Sequence, residues 1–235
     1  MNTMRRTIFQ THNPFEGIEI EGRQIEMYGW YYDHPIFRQI ISQLKPTRII
    51  EVGSLYGASA IHMAKLTKEF GLSAEILCVD TFLGSPEYWD EPTVHHLKLR
   101  SGFPRFYEQF MVNVIKSGMQ DVITPFPQVS TLAAQVLRTK KITADVIYID
   151  AAHTYRELLA DLRAFWPLLR PDGIMFGDDF DPIWPGVIRA VHEWAEQEGI
   201  NVGHLTATAS SPTGNSPNTK WAVRKSTSGA DAKTA

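Results

Sequence analysis

Residues 144–180, ADVIYIDAAHTYRELLADLRAFWPLLRPDGIMFGDDF, constrain the fold more than any other stretch of the chain. Val146, Ile147, Tyr148 and Ile149 form a short apolar run that stops at Asp150. Leu158, Leu159, Leu162, Phe165, Trp166 and Leu169 then recur at helical spacing. Pro171, Asp172 and Gly173 predict the end of that helix, and Ile174, Met175 and Phe176 lead into Asp178 and Asp179. A buried strand, a crossover helix and a second buried strand make a right-handed unit with both strands parallel. Both strand ends then lie on one edge of the sheet, the edge where open α/β sheets hold their ligands. Three carboxylates gathered there repel one another unless something positive sits among them. This edge is the predicted active site.

An earlier segment, RIIEVGSLYGASAIHMAKL, supplies a second strand-to-helix junction over residues 48–66. Glycines allow close backbone approach and positive φ, and the N–H groups at a helix start suit anionic or polar ligand atoms. The pattern is E-x-G-x-x-x-G, from Glu51 through Gly53 and Ser54 to Gly57, and not the G-x-G-x-x-G of dinucleotide binders. A strand over 74–79 then ends at Asp80, where a carboxylate can accept two hydroxyls of a ribose. Thr81 opens a long aromatic-rich segment to Phe110, broken by Pro86, Pro92 and Pro104, which reads as a lid or substrate wall with Tyr88 and Trp89 as contacts. His95 and His96 have no third spaced ligand and make a poor metal motif. Ser130 stands before a helix over 132–138, where it caps the helix, bonds a base edge, or does both.

The remainder frames this core. Residues 1–34 are weakly periodic and end in YGWYYDHP; they read as an extension that covers the site mouth, meets a partner chain or simply packs on the core. A single domain over 35–225 follows, closing with a helix over 183–198 and weak strands near 202–206 and 220–223. Residues 226–235 read as a disordered tail. A net charge of −3 and no long basic run exclude electrostatic support for nucleic-acid binding. No apolar run approaches the roughly 18–20 residues that span a bilayer, and the N-terminus lacks a signal-peptide core. The lone Cys78, inside an apolar strand, points to a reducing, cytoplasmic setting. Self-association stays open.

Over nearly the whole folded chain these motifs resemble class I S-adenosylmethionine-dependent methyltransferases. The segment IIEVGSLYGASAIHMA is similar to the cofactor loop of the catechol and caffeoyl-CoA O-methyltransferases and of bacterial sugar and macrolide O-methyltransferases. The resemblance implies a Rossmann-like, doubly wound, mostly parallel seven-stranded sheet with helices on both faces. It implies S-adenosylmethionine held by Gly53 and Gly57 near the methionine portion, Asp80 on the ribose and Ser130 by the adenine, with Glu51, Ser54, Thr81 and Asp150 around them. In the catechol type one acid ending the fourth strand and a pair ending the fifth hold a metal; Asp150, Asp178 and Asp179 match that pattern. The chain departs from it after Asp150, where His153 stands in the place of a catalytic lysine and Ala152 in the place of a second acid of the sugar enzymes.

The expected activity is therefore methyl transfer to a hydroxyl of a small molecule or glycan, assisted by a divalent ion. Oxygen-only ligands favour Mg²⁺. His153, whose ordinary pKa lies near 6.5, is the candidate proton acceptor beside Asp150, or else a packing histidine. A metal-independent methyltransferase with His153 as base, and a non-catalytic cofactor-binding protein of the same fold, are the alternatives.

Overall fold

A computed structural model describes residues 3–207 and 218–226. Seven strands form one sheet in the order β3-β2-β1-β4-β5-β7-β6. The five central strands, β1 (Arg48–Val52), β2 (Glu75–Asp80), β3 (Ile123–Pro127), β4 (Ala144–Ile149) and β5 (Leu169–Gly177), pair in parallel. β6 (Gly203–Ala207) and β7 (Asn218–Arg224) complete the sheet antiparallel, with β7 inserted between β5 and β6. The chain order reverses between β1 and β4, so the ends of these strands open a crevice at that switch point.

Helices cover both faces because the central strands are apolar on both sides. α2 (Pro35–Leu44), α3 (Ala58–Glu69) and α4 (Phe106–Lys116) bury one cluster that includes Ile41, Ile61, Phe110 and Tyr148. α5 (Ser130–Thr139), α6 (Tyr155–Phe165) and α7 (Pro185–Glu198) bury the other, with Leu137, Leu162 and Trp194 at its centre. Proline at the start of α2 and α7 fits the first turn, where no N–H bond is lost.

Two local expectations are corrected. Leu169 ends no helix: α6 stops at Phe165, a short 3-10 turn follows, and Leu169 begins β5. Pro171, Asp172 and Gly173 lie within that strand as an irregularity in its pairing with β4, with Asp172 at φ +63°. Ser130 is the first residue of α5 rather than its cap; Val129 holds the cap position.

The N-terminal segment is a strap running from one edge of the sheet to the other. α1 (Thr3–Phe9) is anchored where β2 and β3 begin: the Met4 amide donates to the Glu75 carboxylate at 2.8 Å, and the Arg5 guanidinium donates to the Ile123 carbonyl at 2.7 Å. Farther on the strap follows α4, through Arg23 paired with Glu108 at 3.0 Å and the Glu26 amide donating to Asn113 at 2.9 Å. Residues 28–32 then reach the crevice. The expected tail lies outside the described residues apart from Ser226, as does the polar loop over 208–217. No helix of the described residues is long and apolar enough to cross a membrane.

Candidate active site

The crevice encloses a cavity of about 630 Å³ at the C-terminal edge of the parallel strands, within the range of small-molecule sites. Gly53, Ser54, Asp80, Thr81, Tyr88, Ser130, Asp150, His153, Asp178 and Asp179 all line it. Among the described residues no lysine or arginine does.

One half is the loop after β1. Gly53 takes φ +85°, and a Cβ on it would lie 1.9 Å from the Asp150 carbonyl oxygen, so only glycine lets the two strand ends close together. Asp80 organises the loop: Oδ2 accepts the Ser54 and Leu55 amides, each at 2.8 Å, and Oδ1 accepts the Phe82 amide at 2.7 Å. A carboxylate oxygen has two lone pairs, so Oδ1 keeps one for a ligand hydroxyl. Glu51 and Gly57, expected to touch cofactor, do not line the cavity. Glu51 is fully buried beneath the loop and accepts the Ser54 and Ser59 hydroxyls, each at 2.6 Å. Burial pushes its carboxyl up to about 7 against the pull of those hydroxyls. Gly57, at φ +80°, lies under the Phe110 ring, where a Cβ would come within 2.9 Å. Ser130 reaches the cavity, with its hydroxyl turned to Asp161 on α6; burial lifts the Asp161 carboxyl to about 6.

The other half is built from the ends of β4 and β5. His153 Nε2 lies 2.9 Å from Asp179 Oδ2, and the Trp184 ring packs on the imidazole with centroids 4.4 Å apart. Nδ1 is 3.5 Å from Glu87, a charge contact too long for a hydrogen bond, which agrees with its having no hydrogen-bond partner among the described residues. Burial lowers the His153 pKa, but the Asp179 bond and the charges of Asp179, Asp150 and Glu87 outweigh it and raise it to about 9. His153 is therefore a cation at neutral pH in this arrangement, not the free base its ordinary pKa suggests. Asp150 is raised to about 7 by burial and then by Asp178 and Asp179, with Lys220 and His153 pulling the other way.

Asp178 departs from the expected trio. It is buried and ion-paired with Lys220, a β7 residue whose side chain is fully enclosed. The ligand atoms that do gather, all within 4.8 Å of one another, belong to Asp150, His153 and Asp179. Lys220 and the Tyr148 hydroxyl, which donates to Asp150 Oδ2 at 2.9 Å, are the members that sequence reading missed. A lysine in a strand buried on both faces is itself a signal, because it must meet an acid.

The walls are aromatic. Tyr28, Trp30, Tyr31 and Tyr32 from the strap line the cavity together with Tyr88 and Trp184. Trp89, expected beside Tyr88, does not line the cavity: its indole donates to the Leu83 carbonyl at 3.1 Å and the residue is half exposed.

A family model described as a methyltransferase domain matches residues 50–180, more than half of the chain and all of the strand ends described above. The chain belongs to this methyltransferase domain family. Among curated proteins it is similar to a rhamnosyl O-methyltransferase of Mycobacterium tuberculosis, with 25% identity over 156 residues, covering 64% of this chain and 54% of that protein. The chain thus spans about half the length of the curated relatives it matches first. Solved structures agree on the fold. An O-methyltransferase from Bacillus cereus in complex with SAH aligns with a TM-score of 0.59 at 17% identity, covering 86% of this chain and 84% of that one. A TDP-rhamnose 3'-O-methyltransferase of calicheamicin biosynthesis aligns with a TM-score of 0.54 at 19% identity, covering 80% and 77%. The Rossmann-like, mostly parallel architecture expected of a methyltransferase domain is the one observed.

Proposed function

We propose that this methyltransferase domain transfers a methyl group from S-adenosylmethionine to a hydroxyl of a small molecule or glycan. One observation carries the reading: the glycine loop, Asp80 and the acids ending β4 and β5 converge on a single cavity in a chain of this family. Bound there, S-adenosylmethionine would supply a sulfonium methyl, and its transfer to the acceptor oxygen leaves the thioether and one proton. Asp80 would hold the ribose through the free lone pair of Oδ1, and the glycine loop around Gly53 would lie against the methionine portion. Tyr148 occupies Asp150 Oδ2, which leaves Oδ1 to accept the acceptor's proton. His153, cationic beside Asp179, would stabilise charge developing on the acceptor oxygen. The aromatic walls would stack on a sugar or phenol ring and exclude water. A cytoplasmic setting belongs to the same proposal, with Cys78 free and buried in the sheet.

With His153 deprotonated, Asp150, His153 and Asp179 also form a set fit for a divalent ion, which would acidify a bound hydroxyl. With an imidazole in place of Asp178, the donor chemistry favours Mn²⁺ over the Mg²⁺ suited to three carboxylates. A metal-independent reaction is the second reading. It is favoured by the existing neutralisation of Asp179 by His153 and of Asp178 by Lys220.

Calorimetric titration of the chain with S-adenosylhomocysteine, followed by transfer of labelled methyl to a panel of rhamnosides and phenols with and without chelator, tests both. Asp80→Ala should weaken cofactor binding by ~1.5–3 kcal/mol, through lost ribose bonds and an unpinned loop. Unaltered affinity in that variant would remove Asp80 from the site. Full turnover in excess chelator would retain the transfer reaction and discard the ion.

A further inference from the structure

The pairing of β5 with β7 places an unassigned cation beneath the site. The two strands run antiparallel with Gly177 opposite Trp221, so Asp178 and Lys220 come next to each other at the following position. The Lys220 ammonium meets Asp178 Oδ2, lies 3.4 Å from the Tyr148 hydroxyl, and sits 5.6 and 5.4 Å from the ring centroids of Phe37 and Tyr148. From there the Tyr148 hydroxyl reaches Asp150. A continuous polar chain thus joins a fully buried lysine to an acid of the cavity, through a floor otherwise made of aromatic rings. An enclosed ammonium is costly without its carboxylate, and the carboxylate is as costly without it, so the two are held together.

We propose that Lys220 is a positioning residue: it withdraws Asp178 from the ligand set of the cavity and, through Tyr148, fixes the direction in which Asp150 points. The second role rests on the proposed methyl transfer; the first does not. With Lys220 in place a divalent ion meets Asp150, His153 and Asp179, and Asp178 is silent toward it. Without Lys220, Asp178 Oδ2 loses its ion pair, and its charge adds to those of Asp150 and Asp179 and strengthens the site for a cation.

Mn²⁺ titration of the purified chain, followed by the paramagnetic resonance of the free ion and run without methyl donor or acceptor, tests the first role. Asp178→Asn is expected to leave Mn²⁺ affinity within about threefold of the natural chain, whereas Asp179→Asn weakens it by roughly tenfold or more. Lys220→Met should tighten binding by roughly tenfold, and the double variant Lys220→Met with Asp178→Asn should return to the starting value. If the natural chain binds no Mn²⁺, the gain in Lys220→Met is still expected, and its absence overturns the proposal. Equal losses in Asp178→Asn and Asp179→Asn overturn it as well. Should Lys220→Met fail to fold, the contrast between the two aspartate variants decides alone. The second role is read separately: Lys220→Met should lower kcat while leaving S-adenosylhomocysteine affinity unchanged, with Lys220→Arg restoring most of the loss. A loss that Lys220→Arg does not restore, and that cofactor binding shares, would assign Lys220 to folding only. A chain inactive toward every acceptor leaves the Mn²⁺ titrations intact, so failure of the two readings is told apart.

Discussion

On the β1–β2 side of the cavity, negative charge is met by main chain: Asp80 accepts three backbone amides from within its own turn and the neighbouring loop. On the β4–β5 side, side chains do most of this, His153 for Asp179, Lys220 for Asp178 and the Tyr148 hydroxyl for Asp150, with the Asp179 amide also donating to Asp178. Backbone donors come with the turn and survive substitution of the residues that carry them. Side-chain donors arrive from separate elements and can be removed singly. The β1–β2 half is therefore expected to tolerate substitution of the residues whose amides it uses, and the β4–β5 half to lose function one side chain at a time.

The largest expected effect tests that contrast directly. Asp150→Asn should lower turnover by on the order of 10²–10⁴ while S-adenosylhomocysteine affinity holds, as a lost proton acceptor would. Loss of cofactor affinity on the same scale would erase the distinction between the halves. Next comes Gly53→Ala, which strikes where they touch: a Cβ at φ +85° against the Asp150 carbonyl should cost at least ~3 kcal/mol in denaturant unfolding. A variant as stable as the natural chain would show that the strand ends can part.

Glu51 gives the third, a pH signature of the cofactor half alone. Its carboxyl is raised from 4.5 to about 7 in the fold, so the native state favours the neutral acid. That stabilisation is fully present below pH 4.5 and is lost as pH rises through 7. Glu51→Gln should therefore gain on the natural chain between those values, by on the order of 3 kcal/mol, and a pH-independent difference in unfolding free energy would reject the buried acid as the cause. The smallest effect separates neighbours: Tyr88→Ala should raise the acceptor KM, whereas Trp89→Ala should change it and the stability by under about 0.5 kcal/mol. A larger acceptor effect at Trp89 would put the indole in the wall.

The same contrast explains what could be read beforehand. The glycine loop and Asp80 are separated by few residues and one helix, and their roles follow from turn chemistry that sequence spacing carries. Asp150, Asp178 and Asp179 were legible as strand ends because a parallel crossover fixes where strands finish. Their partners were not. Lys220 pairs with Asp178 only because β7 inserts between β5 and β6, and nothing local announces that insertion. Tyr148 reads as one more apolar strand residue until its hydroxyl is placed, and Ser130 meets Asp161 on a helix that follows the next strand. Aromatic content drew attention to the segment after β2, but a short 3-10 turn puts Tyr88 on the cavity and Trp89 off it, which composition cannot distinguish.

The strap gives the mouth of the cavity a remote mooring. Its aromatic end stands at the ligand edge of the sheet, yet its fastening, α1 against Glu75 and Ile123, lies at the opposite edge. The chain itself thus links the two edges, with the contacts along α4 as intermediate stitches. A cut in the stretch between α1 and Arg23 would remove that mooring and leave the Arg23 and Glu26 contacts with α4 as the hold on the aromatic end.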